Sequence, residues 1–210
     1  MSTDAHKPVT VCLDLEGVLV PEIWIAVAEK IGDAELRVTT REIADYDVLM
    51  KHRLSIVDKH GLTLTDIQSV IATMTPLEGA HEFVSWIRNR CQLIILSDTF
   101  SEFALPLMRQ LDLPTIFCHS LEVDQQQRIT NYRLRLLDQK RLAVRALKGL
   151  NFRVLAAGDS YNDTPMLAEA DAGFFYCPPD TIAKEFPQFP VTTTYAELKS
   201  QFQRSGNLPA

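Results

Sequence analysis

Four short apolar runs, each bounded by polar residues, stand out in the hydropathy pattern of the chain. They are Val9 to Leu13, Gln92 to Leu96, Phe152 to Ala157 and Gly173 to Cys177. Short apolar runs that alternate with helical patterns are typical of buried parallel strands in an α/β sheet. We therefore expect a Rossmann-like parallel sheet, in which ligands collect at the carboxyl ends of the strands.

Between these strands the apolar residues recur at helical spacing. This spacing predicts helices over Leu77 to Arg90 and Lys140 to Leu150. A last helix is predicted after Thr194, because Thr194 and Glu197 have the spacing of a capping box. Further strand-like runs flank Asp124 to Gln127, and we interpret residues 120–136 as a hairpin.

The segment directly after the first strand is helical and contains no predicted strand. The first of its helices spans Glu22 to Ile31 and ends at Gly32. The second starts near Thr39, which has capping-box spacing to Glu42, and continues to about Lys59. The third follows Thr65 and ends before Pro76. These helices predict a small cap at 21–75, inserted into a core of 8–20 and 76–210, with an N-terminal tail at 1–7.

Composition narrows the classes of function. The chain has 210 residues, 46% of them hydrophobic, with 21 Lys and Arg against 27 Asp and Glu. A net charge of −6 without a basic stripe argues against nucleic acid as a partner. No apolar run is long enough to span a bilayer, and we find no secretory signal. Four widely separated cysteines predict reduced thiols and a cytoplasmic protein, and none of the five histidines has metal-site spacing.

Acidic residues follow two of the predicted strands. The first strand ends in Asp14-Leu15-Glu16-Gly17, and the third ends in a segment with Asp159 and Asp163. If the strands are neighbours, these acids converge at one edge, where they repel one another unless a cation is present. Carboxylate oxygens favour Mg²⁺. The alternative is that single acids close a turn or cap a helix.

Two further residues suit a phosphate site. Ser97 follows the second strand and offers a hydroxyl beside backbone N–H groups. Lys140 opens a helix, where the helix dipole favours anions rather than cations. Taken alone, Lys140 is predicted to be a solvated surface residue. Together with Asp14 and Ser97, we interpret it as an ammonium that neutralises a carboxylate and a phosphoryl group.

These motifs resemble the four ordered motifs of haloacid dehalogenase-type phosphatases. The segments that carry the resemblance are Asp14 to Val18, Ser97, Lys140 and Gly158 to Asp163, and the match extends over essentially the whole chain, helical cap included. A narrower resemblance is to family members that dephosphorylate serine phosphate and can pass the phosphoryl group to homoserine. It rests on Leu15 to Ala26, Tyr46 to Leu54, Leu96 to Phe100 and Glu185 to Pro190.

The resemblance implies a role for each site residue. Asp14 would be the nucleophile that forms an aspartyl phosphate, and Glu16 the general acid and base. Asp14, Asp159 and the backbone or side chain of Glu16 would hold Mg²⁺, with Asp163 supporting them. The substrate-binding residues at the phosphoryl end would be Ser97, Asp98, Lys140 and Asn162. The family usually has Asp where Glu16 stands, and the extra methylene moves this acid outward.

The cap would recognise the amino-acid part of the substrate. The resemblance assigns its ammonium to Glu22 and its carboxylate to Arg53, which can hold a carboxylate bidentately. The simpler alternatives are that Glu22 complements a helix N-terminus and that Arg53 is a solvated helix residue.

The overall interpretation is a magnesium-dependent phosphoserine phosphatase that can transfer the phosphoryl group to homoserine. The expected partner is this small-molecule substrate, and a homodimer is left open. Two alternatives stay open as well. The same chemistry could act on another small phosphomonoester, or the chain could be a receiver-type switch that accepts a phosphoryl group without turnover.

Overall fold

A parallel sheet forms the centre of the protein, for which a computed structural model describes residues 7–39, 43 and 45–209. Within these residues seven strands lie in the order β4-β3-β2-β1-β5-β6-β7. They are β1 Val9–Leu13, β2 Gln92–Phe100, β3 Thr115–Val123, β4 Ile129–Arg133, β5 Arg153–Gly158, β6 Ala172–Tyr176 and β7 Val191–Thr192. All neighbouring pairs are parallel except β3 and β4. The predicted α/β class is confirmed.

Helices cover both faces of this sheet. They are α1 Ile23–Ile31, α2 Tyr46–Lys59, α3 Leu64–Ile71, α4 Ala80–Arg88, α5 Ser101–Gln110, α6 Gln139–Gly149, α7 Thr164–Glu169, α8 Asp180–Glu185 and α9 Tyr195–Gly206. Alternate residues of β1 enter opposite cores: Val11 and Leu13 belong to the larger one, Cys12 to the smaller one. This two-sided burial explains why the strands read as continuous apolar runs. None of the helices in the described part of the chain has both the length and the apolar character needed to cross a membrane.

The predicted strands agree with the structure to within a residue or two, apart from β2. This strand continues past Leu96 to Phe100. The predicted hairpin is present, because the second half of β3 pairs antiparallel with β4. The first half of β3, from Thr115, extends the parallel sheet next to β2 and was not predicted.

Helix α5 was also missed, because Pro106 lies inside it and a proline interrupts a helical pattern. Pro106 has no N–H for the carbonyl of Glu102, four residues earlier. That carbonyl instead accepts a hydrogen bond of 2.8 Å from Nε2 of Gln68 on α3. A tertiary contact thus satisfies the backbone group that the proline leaves free.

Two helix starts in the cap differ from the prediction. The predicted start of α2 near Thr39 is wrong: α2 begins at Tyr46, where the Asp45 carboxylate accepts the N–H groups of Asp47 and Val48. Glu42, its predicted capping partner, lies outside the described residues. Helix α3 begins at Leu64, ahead of Thr65, and its capping box joins Thr63 and Asp66.

The other predicted helix ends are present. Helix α1 ends at Gly32, whose φ of 78° is the left-handed conformation of a C-cap. At the start of α9 the Thr194 side chain accepts the N–H of Glu197. The Glu197 carboxylate accepts from Thr193 rather than from Thr194.

Hydrogen bonds join the helices of the segment after β1 to the sheet and the hairpin. The hydroxyl of Tyr46 donates to the carbonyl of Asp98 over 2.8 Å. The N–H of Leu64 donates to the carbonyl of Gln127 in the hairpin over 2.7 Å. These helices therefore cover the carboxyl edge of β2, as a cap would. The division into a cap at 21–75 and a core of 8–20 and 76–210 stays a prediction.

Candidate active site

The strand order brings the predicted site residues to one edge of the sheet. β1 lies between β2 and β5, and Leu13 is in register with both Ile95 and Ala157. Asp14, the next residue, donates its N–H to the carbonyl of Ala157 over 3.0 Å. A cleft of about 310 Å³ opens there, and nine of the ten predicted site residues line it. They are Asp14, Glu16, Glu22, Arg53, Ser97, Asp98, Lys140, Asp159 and Asn162.

The loop after β1 turns tightly at Gly17. The N–H of Gly17 donates to the carbonyl of Val20, and Leu15 accepts from Leu19 and Val20. Gly17 has a φ of 77°, and a Cβ built on it would overlap the carboxylate of Asp159. The position thus requires glycine both for its backbone conformation and for the close approach of an acid.

We expect Gly17→Ala to lower kcat at least about tenfold, because the added methyl group displaces Asp159. The strained backbone should also lower the free energy of unfolding by about 1 kcal/mol. Gly32→Ala is the matched control, since Gly32 has a φ of 78° with nothing within 4 Å of its Cβ position. It should lose similar stability, measured by urea unfolding, and keep its activity. Equal activities of the two variants would contradict the crowding argument.

Three buried carboxylates meet at the floor of the cleft. Oxygen atoms of Asp14, Asp159 and Asp163 lie within 4.8 Å of one another. Burial raises the pKa of Asp14 well above its usual value, and the charge of Asp163 raises it further. Burial and Asp163 likewise raise the pKa of Asp159 to about 7. Ionising all three carboxyl groups together is therefore unfavourable unless a cation lies nearby.

Lys140 supplies positive charge to this cluster. Its Nζ lies 2.9 Å from Oδ1 of Asp14, 2.8 Å from Oδ1 of Asp163 and 3.9 Å from Oδ2 of Asp98. Burial lowers the pKa of Lys140, but the charges of Asp14 and Asp163 outweigh it and raise that pKa well above its usual value. Lys140 is 3% exposed, so the alternative of a solvated surface lysine is wrong.

Asp163 lies behind the cleft and supports its floor. One carboxylate oxygen accepts from Lys140, and the other accepts the N–H groups of Asp159 and Ser160 at 2.9 and 3.1 Å. A Cβ on Gly158 would overlap the Asp163 side chain, so only glycine fits before Asp159. Both oxygens of Asp163 are thus engaged by protein donors.

Glu16 points towards the cap rather than into the acidic cluster. Its Oε2 accepts the N–H of Ile23 over 2.8 Å and so caps α1 from outside that helix. Burial raises the pKa of Glu16 to about 8, and Glu22 adds to the rise while Arg53 opposes it. Burial therefore favours the protonated form of the Glu16 carboxyl.

Arg53 is buried in the cap, so the alternative of a solvated helix residue is wrong. Its guanidinium lies 5.0 Å from the ring centre of Trp24, and Nη2 donates to the carbonyl of Val38 over 2.9 Å. Its Nε is buried and has no hydrogen-bond partner among the residues that the structure describes. A buried donor without a partner costs free energy, and a ligand in the cleft can remove that cost.

Glu22 precedes α1 without capping it. It occupies the N-cap position, yet its side chain makes no capping hydrogen bond. The side chain instead interacts with that of Glu16. Glu16, and not Glu22, thus accepts the N–H of Ile23 at the start of α1, and the alternative that the charge of Glu22 complements this helix N-terminus stays open.

Ser97, Asp98 and Asn162 line the part of the cleft that is predicted to bind phosphate. The hydroxyl oxygen of Ser97 accepts the N–H of Thr99 over 3.2 Å, and Nδ2 of Asn162 donates to Oδ2 of Asp98 over 2.9 Å. Burial raises the pKa of Asp98. The charge of Lys140 and the side chains that donate hydrogen bonds to Asp98 outweigh this effect and keep the pKa of Asp98 well below its usual value.

The sequence analysis missed three buried or half-buried residues around Asp98. The Tyr46 hydroxyl donates to the backbone carbonyl of Asp98, and the Gln139 amide donates to the Asp98 carboxylate. Nε2 of His119 lies 3.6 Å from Oδ1 of the same carboxylate. Neither a tyrosine on a helix nor a single glutamine or histidine carries a local signal. Only the adjacency of β3 and β2 brings His119 to the site.

The fold and the site together define an α/β enzyme with a carboxylate and lysine centre beneath a helical cap. The sequence profile of haloacid dehalogenase-like hydrolases matches residues 9–171. The chain therefore belongs to the haloacid dehalogenase-like hydrolase family, and the predicted resemblance is confirmed.

Two characterised relatives from Pseudomonas are similar over most of the chain. One is named phosphoserine phosphatase, from Pseudomonas syringae pv. tomato, and is 61% identical over 93% of this chain and 83% of its own length. The other is named phosphoserine phosphatase ThrH, from Pseudomonas aeruginosa, and is 61% identical over 93% of this chain and 96% of its own length. The narrower resemblance is thereby confirmed for phosphoserine phosphatases, and transfer to homoserine stays a prediction.

Solved structures share the fold at low sequence identity. One, described as a substrate-bound phosphoserine phosphatase complex, superposes with a TM-score of 0.80. It is 20% identical, with 93% of this chain and 99% of that chain covered.

Proposed function

We propose that this enzyme is a magnesium-dependent phosphoserine phosphatase that acts through an aspartyl phosphate on Asp14. It would also transfer the phosphoryl group to homoserine. The observation that carries the proposal is that Arg53, whose Nε has no partner among the described residues, lines the same cleft as the Asp14–Lys140 ion pair. Asp14 and Lys140 would thus react with and bind a phosphoryl group, and the Arg53 guanidinium would bind a carboxylate of the same substrate. The names of the Pseudomonas relatives support the same substrate.

The phosphoryl group would bind beside Asp14. Lys140 would neutralise its charge, and the Ser97 hydroxyl and the Asn162 amide would donate hydrogen bonds to its oxygens. Asp98 would orient Asn162, to which it is hydrogen bonded. Ser97 and Lys140 are buried, and the exposed Asn162 is held by Asp98, so little reorganisation is needed when charge moves during the transfer.

The first step would be attack of an Asp14 carboxylate oxygen on phosphorus. The bond from phosphorus to the serine oxygen breaks, and Glu16 gives its proton to that oxygen. In the second step Glu16 takes a proton from water as the water oxygen attacks phosphorus. The bond to Asp14 then breaks, which releases phosphate and restores both carboxyl groups.

The acidic cluster fits Mg²⁺. Asp14 and Asp159 offer carboxylate oxygens close to one another, and Asp163 would support them, because both of its oxygens already accept from protein donors. The Glu16 carboxylate caps α1, so we assign a contribution of residue 16 to its backbone carbonyl. When bound, the ion would neutralise charge on the phosphoryl oxygens.

The amino-acid part of the substrate would lie under the cap. Arg53 would bind the carboxylate with its free Nε, and Glu22 would bind the ammonium. Homoserine has the same two groups and one more methylene, which changes binding by about 1–3 kcal/mol. Homoserine would therefore replace water as the acceptor in the second step. The reaction needs only small soluble molecules, consistent with a cytoplasmic enzyme.

We expect Arg53→Met to raise KM for phosphoserine about tenfold or more, because a hydrogen bond to a charged group is lost. Hydrolysis of p-nitrophenyl phosphate, which has no carboxylate, should change little. Arg37→Met is the control, since Arg37 also belongs to the segment after β1 but forms an exposed ion pair with Glu29. Phosphoserine kinetics unchanged by Arg53→Met would favour another phosphomonoester as substrate.

The direct test is incubation of the purified enzyme with phosphoserine, with and without homoserine. We expect free phosphate in both, phosphohomoserine only with homoserine, and neither product after chelation of divalent cations. Incorporation of one phosphoryl group without turnover would favour the receiver-type alternative. Phosphate release that persists in excess chelator would contradict the proposed dependence on a divalent cation.

A further inference from the structure

Two buried polar side chains lie behind Asp98 and have no part in the chemistry above. Gln139, the first residue of α6, is 2% exposed, and His119 on β3 is 5% exposed. A polar side chain this deeply buried is kept where its hydrogen bonds repay the loss of water. Both residues place a side-chain nitrogen beside the Asp98 carboxylate.

The Gln139 amide anchors that segment at two points. Its Nε2 donates to the carbonyl of Ser97 over 2.6 Å and to Oδ1 of Asp98 over 3.1 Å. Its Oε1 accepts from Nε of Arg135 over 3.1 Å, which fixes the orientation of the amide. Gln139 thus holds both the backbone of the phosphate-side residue and the neighbouring carboxylate.

The His119 ring lies against the same carboxylate. Its Nδ1 accepts the N–H of Arg135 over 3.1 Å, so we assign the ring hydrogen to Nε2. This Nε2 lies 3.6 Å from Oδ1 of Asp98 and 3.3 Å from Nε2 of Gln139. The two Gln139 hydrogens go to Ser97 and Asp98, and with this tautomer the Nε2–H of His119 faces the Asp98 carboxylate.

The two oxygens of Asp98 have separate tasks in this arrangement. Oδ1 is held from behind by Gln139, and Oδ2 accepts from Asn162 and lies 3.9 Å from Nζ of Lys140. A second cavity of about 730 Å³ borders Asp98, His119 and Gln139. Without its anchor, the Asp98 carboxylate therefore has space to rotate away from Asn162.

We propose that Gln139, backed by His119, is a positioning residue of the reaction. It fixes the rotation of the Asp98 carboxylate, and Asp98 in turn holds Asn162 and Lys140 where they meet the phosphoryl group. This inference rests on the proposed function, since it assumes that Asn162 and Lys140 contact a phosphoryl group. It adds a residue that touches neither the substrate nor the metal.

The test is a double-mutant cycle on kcat. We expect Gln139→Met to lower kcat for phosphoserine about tenfold with less than about a twofold change in KM, because the reacting groups lose their alignment. In an Asp98→Ala background the same replacement should lower kcat by less than about threefold, since only the hydrogen bond to the Ser97 carbonyl is then lost. A loss of the same factor in both backgrounds would show a merely structural role and overturn the inference.

Gln110→Met is the matched control. Gln110 also donates its amide to a backbone carbonyl, that of Met74, but at the end of α5 away from the cleft. We expect its kcat to equal that of the wild type. If Gln139→Met fails to fold, Gln139→Glu keeps the side-chain size and the acceptor for Arg135, and it is measured in the same two backgrounds with the same criterion.

Each assay is run with p-nitrophenyl phosphate as well as with phosphoserine. A wild type that hydrolyses only p-nitrophenyl phosphate would contradict the proposed substrate, and the cycle on that compound would still decide the role of Gln139. A wild type active on phosphoserine that shows no coupling between Gln139 and Asp98 would overturn the inference alone.

Discussion

Replacing Asp14 with asparagine should abolish turnover, with a fall in kcat of at least about 10⁴-fold, because an amide cannot replace the attacking carboxylate. The fold should persist, since Asp14 and Asn have the same shape and Lys140 keeps its contact with Asp163. The measurements are phosphate release under saturating phosphoserine and mass spectrometry of acid-quenched enzyme. The wild type should gain the mass of one phosphoryl group, and Asp14→Asn should not.

Asp112→Asn is the matched control for this replacement. Asp112 follows α5 at a φ of 60°, a conformation that asparagine tolerates well, and pairs with His81 at the surface. Its kcat should equal that of the wild type. Sustained turnover by Asp14→Asn, with its sequence verified after the assay, would remove the covalent mechanism while leaving the family assignment untouched.

Replacing Lys140 with methionine should damage both stability and activity. Asp14 and Asp163 would lose the ammonium that lies within 3 Å of each of them, and both would remain buried. Leaving a buried charge without its partner costs about 3–5 kcal/mol, so we expect a fall of about 3 kcal/mol in the free energy of unfolding. Activity should fall at least about a hundredfold, because the developing phosphoryl charge loses its neutralising group.

Urea unfolding in the presence of a chelator measures this loss without compensation by a divalent cation. Lys148→Met is the control, because Lys148 lies on the same helix and pairs with Asp171 at 3.3 Å, but is about a third exposed. An exposed pair contributes less than about 1 kcal/mol. An equal loss in the free energy of unfolding for the two variants would show that the buried ion pairs of Lys140 stabilise the fold no more than the pair of Lys148 does.

The local sequence pattern was sufficient to predict the strands of the sheet and the acidic residues at its carboxyl edge. A buried strand must hide both faces, so β1 and β5 read as apolar runs, and the polar residues that end them mark the carboxyl edge. Helix signals were less reliable, because Thr39 and Asp45 both suit an N-cap and only the folded backbone selects Asp45. In α5 the misleading signal was Pro106, whose cost is offset by a distant glutamine.

The relations between side chains required the folded chain. Arg53 could be placed on a cap helix, but its burial against Trp24 and the unpartnered state of its Nε depend on packing. Glu16 could be placed two residues after Asp14, but its turn towards α1 follows from the position of that helix. Gln139 and His119 carry no local signal, since their partner Asp98 is about 40 and 20 residues away along the chain.

Residue order alone thus specified the α/β class, the family and the acidic, hydroxyl and ammonium groups of the cleft, because hydrophobic periodicity and short motifs are encoded within a few neighbouring positions. The tertiary structure alone determined the hydrogen-bond partners of the site side chains, because it makes strands that are far apart in sequence neighbours in the sheet. Hydrogen-bond geometry and burial depend on distances of tenths of an ångström, and those distances exist only in the packed protein.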